Sequence, residues 1–302
     1  MLLPTELLAT SGGVAPYRRI TAACGRPALR RALAHGQVVR LGRNRYALPG
    51  LPTDLATALG HGACLSHLSA AIHLGWGVLH LPVGLHLAVP RGRRHPDRAG
   101  TRWAATALDA DEQHLGVTSP VRTVLHCART LPFAAGLAVA DSALRSGLVT
   151  HDELAHVAAS TRAPGILRAR RVVREADERA ANPFESALRA VVLQVGLRGF
   201  VPQLVVTGRG LFACVDLGDP DRRVAFEADG YGVHGTRRAF AADLARHDDL
   251  QGEGWVTRRF AYEQVLRRRR WVGEQALVAA SQRVVGRAGP HIGRRLQRLD
   301  AM

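Results

Sequence analysis

Short apolar runs cut by glycine organise the first fifty residues. Leu2, Leu7 and Leu8 predict a short helix that Ser11-Gly12-Gly13 breaks. Ile20 to Cys24 predicts a second helix ended by Gly25, and Pro27 opens a third, PALRRALAHG, closed by Gly36. VVRL and RYAL follow as β-prone runs joined by Gly42-Arg43-Asn44, a hairpin signal. From about residue 51 to 175 the rhythm is less regular. There SHLSAAIHLGW reads as a buried helix whose small residues allow close packing, and Asp109, Asp111 and Glu112 read as a solvated loop. From about 180 the pattern becomes helix, strand, strand, strand, helix, strand, helix. Asn182-Pro183-Phe184-Glu185 opens ESALRAVVLQVG, which closes near Gly196. FVPQLVV, LFACVDLGDP and RRVAFEADG then read as strands, the last two joined antiparallel through Gly218-Asp219-Pro220-Asp221. The expected organisation is 1–50, 51–175 and 180–280, with a basic tail over 281–302.

Charge changes the picture most. Forty-one basic residues against 25 acidic ones give a net charge of +16 in 302 residues, and every cation is arginine. An excess of this size predicts a polyanionic partner, DNA or RNA, although an Ala-, Gly- and Arg-rich chain also fits GC-rich coding DNA. Three helices followed by a hairpin make a winged helix-turn-helix, in which the third helix enters a groove and the wing lies on the backbone. Arg26, Arg30 and Arg31 decorate that helix and Arg40, Arg43 and Arg45 the wing, while Glu6 is the single acid of the first fifty residues. The alternative is a module that packs on another domain with its arginines solvated. Hydrophobic content of 47% fits a folded chain, and no apolar run approaches a membrane span of about 20 residues. The N-terminus lacks the pattern of a signal peptide. Cys24, Cys64, Cys127 and Cys214 stand singly, which points to reduced thiols and a cytoplasmic protein. His61, His67 and His73 recur every six residues, an interval that does not stack them on one helical face, so packed or surface histidines are expected.

The candidate chemistry lies in the C-terminal strands. Asp216 falls near the end of one strand and Glu227 and Asp229 on the same face of the next, so three carboxylates converge. Burying unpaired carboxylates is costly, and the cluster therefore calls for a divalent cation, arginine partners or water. A cation on Asp216 and Glu227, with Mg2+ best suited and Mn2+ as a substitute, would position a phosphate and neutralise developing charge. Glu185, three residues past an Asn N-cap, serves either as a capping-box acid or as a member of the site. Salt bridges from Glu227 and Asp229 to Arg237, Arg238 or Arg246 are the structural alternative to catalysis.

Two resemblances extend this reading. The first half, through ALPG, ACLSHLSAAIHLG, VGLHLAVPRGRR, VTSPVRTVLHCART and LAVADSALRSGLVTHDEL, resembles AbiEi-type antitoxins of type IV toxin–antitoxin systems. That implies DNA binding, autoregulation and a nucleotidyltransferase-like toxin as partner. The second, from NPFESALR through VDLGDPDRRVAFEADGYGVHG to DLARHDDLQGEGWVTRRF, is similar to the domain of unknown function 559 family, relatives of the very-short-patch-repair endonucleases. It implies a restriction-endonuclease-like α/β/α core of the PD-(D/E)XK type. Its signature elements here are Glu185, Asp216, Glu227, Asp229, Gly230, His234, Asp243, Arg246 and Gly254-Trp255. In the general pattern a lysine follows the second acid after one residue, where this chain has Asp229. The very-short-patch type also lacks that lysine and relies on an aspartate with a nearby histidine, matched here by Asp216 and His234.

The expectation is an α/β, multidomain, DNA-associated protein with a metal-dependent endonuclease domain whose acids are Glu185, Asp216, Glu227 and Asp229, assisted by His234. Its rival is a non-catalytic DNA-binding regulator or antitoxin on a degenerate nuclease fold.

Overall fold

The computed structural model describes residues 2–93, 100–208, 211–230 and 237–282, with side chains from residue 243 onward in the last stretch. His234 and the tail over 283–302 lie outside the described residues. The chain is mixed α/β and divides into two compact units, 1–76 with 80–126, and 77–79 with 127–302. No described helix is long and apolar enough to cross a membrane.

In the first unit, α1 (Pro4–Thr10), β1 (Val14–Pro16), α2 (Tyr17–Cys24) and α3 (Arg26–Ala34) precede β2 (Val39–Gly42) and β3 (Arg45–Ala47). The strands form an antiparallel sheet in the order β1-β3-β2. Leu8, Ile20, Cys24, Leu29, Val38 and Tyr46 form the core beneath the three helices. Pro27 at N2 and Gly25 at the preceding cap with φ +79° place the α2–α3 break where the sequence put it. The rest of the unit comprises α4 (Thr53–Gly60), β4 (Cys64–Leu65), α5 (His67–His73), β5 (Leu85–Pro90), β6 (Thr101–Thr106) and α6 (Ala110–Leu115). Its sheet has the order β4-β5-β6, antiparallel then parallel. Val14 and Ala47 share a core with Leu55, Leu59, Leu65 and Leu87, which ties the two sheets into one unit.

The expected loop at Asp109, Asp111 and Glu112 is instead the start of α6. Asp109 caps it by accepting from the Glu112 N–H at 2.8 Å, and Glu112 returns the bond to the Asp109 N–H. Glu112 is buried and lies 2.6 Å from Arg122, so it is a structural anchor and not a solvated acid.

Where β2 ends, Gly42 and Gly60 meet back to back. A Cβ on Gly60 would fall 2.2 Å from the Leu41 carbonyl, and one on Gly42 equally close to the Gly60 carbonyl. Gly60→Ala is therefore expected to destabilise the protein by about 1–3 kcal/mol through overpacking. Urea denaturation measures this, and an unchanged midpoint would mean that the approach is not tight.

The helix α7 (Pro120–Thr130) contains the division between units. Then come α8 (Phe133–Arg145), α9 (His151–Ser160), α10 (Ile166–Glu175) and α11 (Pro183–Gln194). The strands β7 (Val201–Thr207), β8 (Phe212–Asp219) and β9 (Val224–Asp229) lead through α12 (Arg237–Gly252) to β10 (Val256–Ala261), α13 (Tyr262–Arg267) and α14 (Arg269–Ser281). The sheet order is β10-β9-β8-β7, with β7, β8 and β9 antiparallel and β10 parallel to β9. Phe226 stacks on Phe200 and meets Phe260, which in turn meets Trp271 of α14. Val206, Ala213, Val215 and Ala225 form a second cluster with Leu250 of α12, and Trp255 packs against it. The helix α11 packs against α8, and Asp141 and Arg189 link the two through a buried ion pair at 2.7 Å.

Candidate functional site

The carboxylates gather where the β8 strand is irregular. Positions 215 and 218 differ in parity, yet a Cβ on Gly218 would meet both Leu204 and Val215 side chains. Strict alternation thus breaks between them. The partner strand shares the distortion, with Gln203 at φ +50°. The register is the same on either side, Leu204 opposite Val215 and Pro202 opposite Leu217, so no residue is inserted and the backbone twists locally. On the other flank the β8–β9 ladder runs from Asp219–Val224 to Leu217–Phe226. Just beyond its last pair the Asp216 charge bears on Glu227. There the ladder gives way, and the Asp216 carboxylate accepts the Ala228 N–H at 2.8 Å. A side chain thus takes a backbone donor that a strand would otherwise satisfy.

Glu185 joins this group from α11. The Asn182 side-chain amide oxygen accepts from Phe184 and Glu185 N–H groups, and Glu185 accepts from the Ala181 N–H and the Asn182 amide N–H. It is both a helix-start acid and a site member, because the Gln203 amide donates to Glu185 at 2.9 Å and to Asp216 at 3.3 Å. The Cys214 thiol donates to the same amide's oxygen at 3.3 Å, which fixes its orientation. Gln203 is the residue that the sequence did not reveal. Nothing local marks a glutamine in a strand as a bridge between two acids.

Arginines take the other side. Arg246 of α12 lies 3.3 Å from Glu227 and bonds Asp243 and the Cys214 carbonyl. Asp229 is held by both ends of Arg259 at 2.8 Å, a bidentate pair from the adjacent strand, and Arg259 also reaches Asp243. In the parallel register Arg259 sits beside Glu227. Of the salt bridges expected, Arg246 is present, and Asp229 finds Arg259 as its partner. The side chains of Arg237 and Arg238 are outside those described. Asp229 is thereby neutralised at the edge of the cluster, while Glu185, Asp216 and Glu227 form its centre.

Burial, and then the neighbouring Asp216 carboxylate, push Glu227 up to about 7. Burial likewise raises Glu185, with Asp216 adding to the effect. One Glu227 oxygen is buried without a hydrogen bond, the Arg246 guanidinium standing beside it in ion-pair contact only. Among the described residues no three His, Cys, Asp or Glu side chains form a ready-made metal-binding group. The residues nonetheless fit Mg2+, which takes one or two carboxylates and keeps most of its water. The orphaned oxygen and the neighbouring acids are what a hard cation relieves.

A stability prediction follows from the sign of the Glu227 shift. The native state keeps a proton that the unfolded chain releases near its ordinary 4.5. The contribution is full below that value and is lost as pH rises through about 7. Without divalent cations, the wild type is expected to lose about 2–3 kcal/mol relative to Glu227→Gln between about pH 5 and pH 8. Urea titrations at the two pH values measure it, and parallel behaviour of the two proteins would contradict it.

In the first unit, Arg26, Arg30, Arg31, Arg40 and Arg43 are exposed and Arg45 is half-buried. Arg18 and Arg19 of α2 add to the same exposed charge. Among the described residues no carboxylate ion-pairs with any of them. The exposed Arg40 guanidinium donates to the carbonyls of Gly42 and Arg43 and braces the turn. Of the recurring histidines, only His67 is buried, stacked on His126 and hydrogen-bonded to Ser66.

No family model matches the chain. Uncharacterized proteins MT2308 and Rv2248 of Mycobacterium tuberculosis, from strains CDC 1551 and H37Rv, are each 33% identical to it over 141 residues. That stretch is 46% of this chain and 52% of each relative, so the chain spans about half the length of the curated relatives it matches. The crystal structure of the RV2827C protein from M. tuberculosis aligns with 69% of this chain and 87% of its own, at 18% identity and a TM-score of 0.32.

Proposed function

We propose that the protein binds DNA through its first unit and cleaves a phosphodiester bond at the acidic cluster of its second. The observation that carries this reading is the Asp216 carboxylate close enough to raise Glu227 where the β8–β9 ladder opens, with Glu185 tied in through Gln203. Such an arrangement serves a purely structural sheet poorly, because it leaves a buried acid with a raised pKa and an unbonded oxygen. The strand order and the flanking α11 and α12 support a restriction-endonuclease-like core. Three helices with a basic hairpin support a winged helix.

Asp216 and Glu227 would hold Mg2+, which would neutralise charge building on the phosphate and orient it. The chain's own parts have separate tasks. Gln203 bridges Glu185 and Asp216, and the Ala228 N–H fixes the Asp216 carboxylate. Arg246 and Arg259 stand where a phosphate's negative charge would need cations, in a chain with no lysine. His234, in the matching sequence position, would transfer a proton.

The rival is a non-catalytic regulator or antitoxin with a nucleotidyltransferase-like toxin as partner. Its support is the Asp229–Arg259 pair, which shows a position of the general lysine used for a closed salt bridge. Cleavage of duplex, mismatched and single-stranded DNA with Mg2+ or Mn2+ separates the two. Salt-sensitive binding without cleavage under any condition would favour the regulator.

A further inference from the structure

Beside the hairpin turn of the first unit lies a pocket of about 280 Å³, lined by Pro16, Arg43, Asn44, Arg45, Gly60 and Arg93 among others. Three guanidinium-bearing residues line it, and the described residues include no carboxylate paired with any of them. We propose that this pocket is a phosphate-binding site, built by Arg45 and Arg93 with Arg43 at its mouth.

Three features set it apart from a solvated basic face. First, Arg45 is half-buried yet has no anionic partner, an arrangement that leaves a desolvated charge uncompensated. Burial lowers its pKa from the ordinary value, and the Arg93 charge adds to that cost. Second, Arg93 is fixed in place. Its guanidinium donates to the carbonyls of Gly62 at 2.9 Å and His61 at 3.2 Å and lies over Gly62, where a Cβ would strike it. Those bonds also satisfy carbonyls at the end of α4, whose partial negative charge would otherwise oppose an anion. Third, the pocket's frame is rigid, because Gly42 and Gly60 lock the hairpin to α4 and Arg40 braces the turn. Pre-set guanidinium groups around an open cavity match a tetrahedral oxyanion.

A phosphate here comes either from a nucleic-acid backbone or from a free phosphate or phosphomonoester. The pocket itself does not depend on the acidic cluster being a nuclease. Only the backbone source rests on the DNA-binding part of the proposed function.

The test uses the full chain and inorganic phosphate, with chloride at matched ionic strength as control. Phosphate at several times its Kd is expected to raise the melting temperature by about 2 °C or more. Arg45→Gln should lower phosphate affinity at least about fivefold. Asn44→Asp, an exposed turn substitution that places a carboxylate at the mouth, should do the same without relying on the half-buried residue. Arg162→Gln, an exposed residue of the second unit that belongs to neither site, should keep the wild-type response. An equal phosphate shift in all four proteins, or none in the wild type, would overturn the site. Duplex binding identifies the source. Weakening by Arg45→Gln together with competition by phosphate assigns the backbone; unaltered duplex binding with a lost phosphate response assigns a free anion. A wild type that binds phosphate and no DNA would defeat the DNA-binding reading and leave the pocket standing.

Discussion

Asp216→Ala is expected to lower Mg2+-dependent DNA cleavage by about 10³-fold or more, since a bound cation supplies several kcal/mol of charge stabilisation. Duplex binding should persist, because the exposed arginines belong to the other unit. The reasoning is local. Asp216 accepts the Ala228 N–H and the Gln203 amide and its charge bears on Glu227, so its removal alters all three at once. It also removes the charge that helps raise Glu227, and Glu227 should then ionise at lower pH. A lost rate together with a lower Glu227 pKa would identify Asp216 as part of the site. Cleavage unchanged in Asp216→Ala would eliminate the mechanism.

The largest stability effect is expected at Asp141, in the second unit. This residue is fully buried on α8, accepts Arg189 of α11 through both oxygens and also accepts the Asp177 N–H. Arg189 is itself buried. Asp141→Ala leaves a desolvated guanidinium without its counterion and should cost about 3–5 kcal/mol. Replacing both by apolar residues should cost less than Asp141→Ala alone, because the burial penalty leaves with the charges. Chemical denaturation of the three variants decides it. Asp141→Ala within about 1 kcal/mol of wild type would show that the pair contributes little.

Legibility followed the range of the interactions. Helix α3, the β2–β3 hairpin, α11 and the strands β7 to β9 were readable because their boundaries are set by neighbouring Pro, Gly, Asn and Asp. Short β1 was not, since three residues carry no periodicity and its identity as a strand depends on Tyr46 and Ala47 across the sheet. The helix at Asp109 is hidden in the sequence because a capping box and a solvated charge run share the same residue types. Among the acids, the spacing of Glu227 and Asp229 was informative, but their partners were not. Arg259 reaches Asp229 from a parallel strand thirty residues on, and parallel pairing leaves no turn signature to read. Asp141 and Arg189 are 48 residues apart, on helices whose contact no local pattern announces. The twist at Gln203 and along β8, which shapes the candidate site, depends on backbone geometry and not on composition.

Direct measurement of Mn2+ binding to the full chain and to Asp216→Ala, by calorimetry or electron paramagnetic resonance, addresses the carboxylate site without requiring the correct DNA substrate. The predicted result is a bound Mn2+ in the wild type whose affinity falls as pH drops below about 7, where Glu227 takes up its proton, and no such binding in the variant. Equal Mn2+ binding by both proteins, or none by the wild type above that pH, would contradict the assignment of Asp216 and Glu227 as a metal-holding pair.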